Sequence, residues 1–443
     1  MEDRASRIEL FKLGSIQMRV FHLAWLAFFV CFFAWFAVAP LMPVIRKDLG
    51  LTGAQIANIN IAAVFATILV RLLIGPLCDR FGARRTYTWL LTLGAVPVIG
   101  IGLCHSYLAF LCCRLCVGAI GASFVITQFH TTLMFAPNVV GTANAAAAGW
   151  GNSGGGATQA LMPLILAVIV GLGVSQSLSW RLAMIVPGAM MLLMAFLYYR
   201  YARDTPRGNL SEPRNTRRSG WRSFQEAAGN YRVWMLFIAY GACFGIELTI
   251  HNFAATYYVD RFSLDVRAAG LYAGSFGLLA LFARALGGFL SDRTAHRHGL
   301  DGRVRLLFFF IVAEGLGLAT FSRMDAAQTA LVAMLAFGLF THMACGATYS
   351  LTPFVHRGAF GGVAGIIGAG GNAGAVAAGF LLKSASGLQH GLLLLGLAVT
   401  GSALCVAAVR FSPDYKLVER QAYAQALDAR RDADAMAADA VSS

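Results

Sequence analysis

Charge is what this chain has least of. Only 13% of its 443 residues are Asp, Glu, Lys or Arg, about half the share of an ordinary soluble protein, and lysine occurs four times. No Gly-x4-Gly-Lys-Ser/Thr phosphate loop is present, which excludes ATP hydrolysis by this chain. No nucleophile–base set or metal-ligand cluster emerges either, so no enzyme activity, cofactor or metal is expected. Nine cysteines are present, but Cys112, Cys113 and Cys116 fall in one apolar stretch. The Cys113–Cys116 pair lacks a second pair at zinc-finger distance, so these thiols read as small hydrophobes. The first twenty residues carry Glu2, Asp3, Arg4, Arg7, Glu9, Lys12 and Arg19 without a cleavable signal pattern. The first apolar stretch is therefore expected to stay as a membrane span.

Hydrophobic residues make up 58% of the chain, with 48 glycines among them. Glycine is commoner in membrane-spanning helices than in soluble ones, and a span needs about 20 apolar residues. Twelve such stretches run roughly over 21–43, 56–78, 86–104, 107–135, 141–173, 180–201, 231–259, 267–291, 302–322, 326–353, 359–383 and 389–412. The expected fold class is an all-α membrane protein embedded in a lipid bilayer. The formal charge of +14 is unevenly placed. Seven arginines fall within 200–222, three more (Arg80, Arg84, Arg85) follow the second span, and Arg293, Arg297, Arg303 and Arg305 follow the eighth. All lie on one side of a twelve-span chain. That is the positive-inside bias, which predicts cytoplasmic N- and C-termini and argues against nucleic acid as a partner.

The stretch Arg71-Leu-Leu-Ile-Gly75-Pro-Leu-Cys-Asp79-Arg80 recurs as Arg284-Ala-Leu-Gly-Gly288-Phe-Leu-Ser-Asp292-Arg293, every matching position offset by 213 residues. Gly151-Asn152-Ser-Gly154 recurs as Gly371-Asn372-Ala-Gly374 at an offset of 220. Two motifs repeated in the same order predict two six-span halves. The expected divisions are a cytoplasmic segment 1–20, a bundle 21–201, a linker 202–230, a bundle 231–412 and a tail 413–443. Facing repeats are the architecture of secondary transporters, with the site near the midplane between them.

A charge near the membrane centre costs about 2.5–3.5 kcal/mol on insertion scales, so Arg71, Arg114, Glu247, Arg284 and Glu314 each need a reason. Arg71 and Arg284 occupy equivalent positions and are expected to point into one cavity. With no obvious acid beside them in the sequence, they need an anion between them, unless each pairs with a carboxylate elsewhere. The guanidinium fork matches planar oxyanions bidentately. The glycines of the fifth and eleventh spans allow close helix approach, and Asn152 and Asn372 are placed to donate amide hydrogen bonds. Glu247 and His251 lie one helical turn apart, on one face, and are candidate proton-coupling groups; a structural Glu247–Arg pair is the competing reading.

The motif Gly75-x3-Asp79-Arg80-x-Gly82-x-Arg84-Arg85 resembles the signature of the major facilitator superfamily between its second and third helices. The resemblance implies the major facilitator fold, twelve transmembrane helices in two pseudo-symmetric six-helix bundles. Gly75 is expected to let the second span approach a neighbour. Asp79, Arg80 and Arg84, with Asp292 and Arg293 in the second half, are expected to form gating contacts. Ala148–Gly156 resembles the first nitrate signature of the nitrate/nitrite porter family, and Gly368–Gly374 the second. Phe21-His-x-x-Trp25 through Pro40-Leu41, Trp180-Arg181 with Pro187-Gly188, and Gly245-Ile-Glu247-Leu-Thr249 are further matches. The last is similar to the branch of eukaryotic-type high-affinity nitrate transporters.

This resemblance implies a plasma-membrane carrier working as a monomer on nitrate and nitrite, with any accessory subunit left open. The substrate residues it implies are Arg71, Arg284, Asn152, Asn372, Gly151 and Gly371, with Phe32, Trp35 and Phe129 as candidate aromatic walls. Arg114 resembles a motif linked to proton coupling. Because a monovalent anion enters a negative interior at a cost of about 2.3 kcal/mol per 100 mV, uptake implies proton symport. Nitrate/nitrite exchange, nitrate sensing and transport of an organic anion remain alternatives.

Overall fold

A computed structural model describes residues 4–5, 7–135, 139–209, 224–356, 360–413 and 415–417. Twelve helices among them are long and apolar enough to cross a membrane. They are α1 (Ile16–Leu49), α2 (Gly53–Phe81), α3 (Ala83–Leu103), α4 (Tyr107–Met134), α5 (Val140–Gly171), α6 (Gln176–Tyr201), α7 (Tyr231–Phe262), α8 (Val266–Ala295), α9 (Arg297–Phe321), α10 (Ala327–Leu351), α11 (Phe360–Ser384) and α12 (Leu388–Ala407). Of the expected linker, residues 210–223 lie outside the described residues, as do 418–443 of the expected tail.

Local chemistry sets the ends. Ser15 caps α1, accepting from the Met18 amide at 3.3 Å, which starts that helix ahead of its expected boundary. Its far end turns through a short 3-10 segment at Ala39–Leu41, where Pro40 cannot donate, and continues to a left-handed Gly50 with φ 62°. Thr52 and Gln55 form a reciprocal capping box at the head of α2. Ser106, Ser175 and Asp265 cap α4, α6 and α8. Between α2 and α3, Gly82 has φ 84°, and a Cβ there would sit 2.3 Å from an Asp204 carboxylate oxygen. Glycine is required there on both counts.

The packing repeats itself in the two halves. Helix α1 lies on α5 as α7 lies on α11; α3 on α6 matches α9 on α12; and α5 on α8 matches α11 on α2. The last two contacts join the halves. Glycine makes these contacts close. A Cβ on Gly154 would lie 2.2 Å from the Phe29 carbonyl oxygen, and one on Gly374 would lie 2.1 Å from that of Gly241. At the crossing of α5 and α8, a Cβ on Gly156 would fall 2.6 Å from the Leu278 amide nitrogen. Such approach is how membrane helices gain packing without a hydrophobic driving force.

The two ends of the molecule differ. At the end where α1 and α7 finish, Arg46 pairs with Asp260 and Lys383 donates to Asn58 at 2.7 Å, each tying one half to the other. Gly379 packs on Ile61 there. At the opposite end, added Cβ atoms on Gly75 of α2 and Gly365 of α11 meet nothing within 4 Å. These glycines lie one turn from Arg71 and Gly368, on the faces where α2 and α11 touch. The two helices therefore meet at and beyond Arg71 and part below it. Gly75 is not the close-approach glycine expected: in this conformation it borders a gap.

Candidate functional site

Arg71 and Arg284 do come together, around one ring. The Arg71 guanidinium carbon lies 5.9 Å from the centroid of Phe244, and that of Arg284 lies 5.4 Å from it. Phe124 adds a second ring 5.5 Å from Arg71. Cation–π contacts of this kind are worth about 0.5–2 kcal/mol, and they hold the guanidinium planes in place. Phe244 is itself socketed by glycine: a Cβ on Gly371 would strike its ring at 2.3 Å, as one on Gly151 would strike Phe28 at 1.9 Å. The signature glycines Gly151 and Gly371 thus seat aromatic rings at matching places in the two halves. Tyr240 stacks on Phe244 at 5.2 Å, and Tyr349 meets Tyr240 and Phe124 edge-on.

The two arginines differ in their partners. Arg71 donates to the backbone oxygens of Gly368 at 3.0 Å and Gly121 at 3.3 Å, and its buried Nε has no partner. Among the described residues it has no carboxylate. Arg284 is 5% exposed and paired with Glu247, Nη2 to Oε2, at 2.5 Å. The expectation that neither arginine has a local acid therefore fails for Arg284, because the acid arrives from a different helix, 37 residues away in the chain. With both arginines and Glu247 ionised, this group carries one net positive charge.

The asparagines also divide. Asn152, on α5, presents its amide oxygen to Arg284 across the boundary between the halves, 2.7 Å from Nη2 and 3.0 Å from Nη1 in the orientation that satisfies both groups. Asn372, on α11, is fully buried with neither amide atom partnered. Arg71 bonds instead to the Gly368 carbonyl, one turn earlier on that helix. A buried amide with no partner is costly, and this one holds unspent donor and acceptor capacity.

Other expectations land elsewhere. Phe32 packs on Phe28 and Trp35, and the Trp35 indole donates to the Ala63 carbonyl at 2.7 Å. Phe129 is half-buried against the core. Among the described residues none of the three has a ring contact with either arginine; the rings that do are Phe124 and Phe244. Arg114 is a brace, donating to the Trp35 carbonyl at 2.8 Å and to Asn252 at 3.2 Å. His251 packs between Gly155 and Gly277, in ring contact with Phe36 and Phe276. The histidine at Glu247 is His342, whose Nδ1 lies 3.4 Å from Oε2. Sequence reasoning missed it because it sits alone in an apolar helix without a counterpart in the first half.

Of the expected gating residues, the side chain of Asp79 lies outside the described residues. Arg80 is exposed and lies over Phe81, while Arg84 bonds to the Tyr199 carbonyl and, through its amide, to Asp204. Asp292 pairs with Arg303 at 2.7 Å, joining α8 to α9 within one half. Arg293 is exposed.

Two packed repeats with a charged group between them define the class, a membrane transporter built of facing repeats. The chain belongs to the Major Facilitator Superfamily, whose model matches residues 24–379. It is similar to High affinity nitrate transporter 2.5 of Arabidopsis thaliana, 38% identical over 423 residues, covering 93% of this chain and 83% of the plant protein. Nitrate transporter 2.1 of Chlamydomonas reinhardtii is 38% identical over 383 residues, 84% of this chain and 70% of the algal one. The nitrate/nitrite transporter NrtP of Nostoc punctiforme is 27% identical over 82% of this chain and 86% of its own. Among solved structures, a bacterial homolog of the human lysosomal transporter Spinster, inward-facing and unoccupied, superposes with a TM-score of 0.68 at 15% identity. That match covers 90% of this chain and 99% of the other, and shows the shared fold.

Proposed function

We infer that this chain imports nitrate, and nitrite with it, across the plasma membrane by proton symport. The observation that carries the reading is the pair of guanidiniums from opposite halves flanking Phe244, one of them without a carboxylate. A planar monovalent oxyanion placed there accepts from Arg71 and the Asn372 amide, and from Arg284 once that fork gives up Glu247 or Asn152. Relatives named as nitrate transporters, at 38% identity over most of the chain, favour nitrate over an organic anion.

The unequal ends differ in which side this conformation opens to. The gap beside Gly75 and Gly365 opens at the end bearing Arg80, Arg84 and Arg85, which the positive-inside bias assigns to the cytoplasm. The ties at Arg46–Asp260 and Lys383–Asn58 then join the halves at the outer side, beside a cavity of about 320 Å³ lined by Arg46, Asn60, Asn252, Asp260 and Lys383. Transport requires these ties to break and the gap to close while the anion stays on the arginines.

The test is nitrate uptake into proteoliposomes under an imposed inward proton gradient, with no anion substrate inside. Accumulation by the wild type, abolished in Arg71→Lys and Arg284→Lys, supports the reading, because lysine keeps the charge but loses the fork. Flux only with nitrite preloaded inside makes the chain an exchanger, and binding without flux makes it a sensor. No nitrate binding at all overturns the substrate assignment.

A further inference from the structure

Among the buried titratable groups that the mechanism above leaves without a task is His342. Its Nε2 faces the carbonyl oxygen of Phe276 at 3.2 Å. A carbonyl only accepts, so Nε2 carries a hydrogen, and in a neutral ring Nδ1 is then a lone-pair acceptor. Nδ1 lies 3.4 Å from Glu247 Oε2 and has no hydrogen-bond partner, and both residues are fully buried. Two acceptors facing each other in an apolar interior repel unless a proton lies between them. That same oxygen accepts from Arg284.

We propose that Glu247 and His342 together hold the coupling proton, and that this proton decides whether Arg284 is bound by Glu247 or released to the anion. The proposal rests on reading the site as a proton-coupled anion site. A proton arriving from water forms an N–H bond at His342 Nδ1. Passing to Glu247 Oε2, it breaks that bond and forms an O–H bond, and the neutral carboxyl no longer balances Arg284, whose fork turns to the entering anion. On the cytoplasmic side the proton leaves by the reverse transfer, Glu247 recaptures Arg284, and the anion departs. One proton moves with one anion, and loaded and empty carriers have equal charge at the site.

Helices α7 to α10 supply the other ionisable groups around this pair. Helix α8 supplies Arg284, and α10 supplies Cys345, 3.8 Å from Oε2. Along α7 lie Tyr240, Cys243 and His251, within electrostatic reach but each without a hydrogen bond to Oε2. Glu314 on α9 is turned aside, its Oε1 accepting from Thr341 at 3.0 Å. His342 acts on the anion only through Glu247 and Arg284, so it is a positioning residue.

The experiment measures protons taken up when nitrate binds to the purified full-length protein in weakly buffered detergent with a pH indicator. The wild type is expected to take up about one proton per nitrate, its affinity weakening about tenfold per pH unit on the alkaline side. Glu247→Gln should bind nitrate without proton uptake. His342→Gln, which keeps an N–H for Phe276, should bind nitrate with less than half the wild-type uptake and a flattened pH profile. His342→Asn carries the same test if the glutamine variant does not fold. A His342 variant matching the wild type in both readouts overturns the proposal. If the wild type binds no nitrate, the substrate reading falls instead, and ligand-free infrared titration decides this point. The carboxylic acid band lost in Glu247→Gln should move its midpoint by about one pH unit or more in His342→Gln; an unmoved midpoint overturns the shared proton.

Discussion

Adding one methyl group at Gly374 should damage this protein, whereas the same change at Gly365, nine residues earlier on the same helix, should not. A Cβ at Gly374 would lie 2.1 Å from the Gly241 carbonyl oxygen and 2.6 Å from its carbonyl carbon and Cα. Backbone atoms cannot rotate away, so α11 and α7 must part by roughly 1 Å to restore ordinary contact. Overpacking of this kind costs about 1–3 kcal/mol. At Gly365 nothing lies within 4 Å, so alanine there should gain up to about 1 kcal/mol from helix propensity. That propensity gain is common to both substitutions, so the variants should separate by the overpacking cost, about 1–3 kcal/mol, read as resistance to thermal unfolding in detergent. Gly374→Ala should also lower nitrate uptake at least several-fold, since parting α11 from α7 loosens the Gly371 socket around Phe244. Equal stability of the two variants would refute the claim that glycine sets the distance between these helices.

Further outcomes follow from the unequal ends and from the partners of the arginines. Gly365→Leu should leave thermal stability near wild type yet abolish transport, because the gap it fills must close in each cycle; normal turnover would sink the alternating-access reading. Asn152→Leu removes a hydrogen bond to a charged group, worth about 1.5–3 kcal/mol, so nitrate binding should weaken by about 10- to 100-fold in equilibrium titrations. Arg46→Ala opens an outer tie whose members are partly exposed; it should cost less than about 1 kcal/mol of stability. It should nonetheless speed labelling of a cysteine at Asn60, from outside, in a background lacking the nine native cysteines.

Much of this was legible in the chain because membrane burial makes polar residues conspicuous. Hydropathy alone separates twelve spans, and the offset between Arg71 and Arg284 places them on opposite halves before any coordinates are seen. Phe244 and Phe124 were not legible, because rings that clasp a guanidinium look like the many others among 32 phenylalanines. A Glu247–Arg pair was legible as the reading that competes with proton coupling, but that Arg284 is the partner depends on how α7 turns toward α8. The role given to Gly75 was misread for a related reason: spacing says which face a glycine is on, not whether a neighbour occupies that face in one conformation.

The difference between the arginines is itself testable, because it separates stability from binding. The repeat places Phe28 opposite Phe244, both seated on signature glycines. Three residues further on, Glu247 in one half corresponds to Cys31 in the other. Arg284→Gln would strand Glu247, fully buried, without its cation. Breaking one side of a buried pair costs about 3–5 kcal/mol, and the double variant Arg284→Gln with Glu247→Gln should recover most of that loss. Arg71→Gln strands no charge: it gives up bonds to two carbonyls while removing a cation that no carboxylate balances, so its stability should stay near wild type. Nitrate binding should be lost in all three. If Arg71→Gln proves as destabilising as Arg284→Gln, and the double variant recovers nothing, Arg71 has a structural counter-charge, and the net charge reserved for the anion is not there.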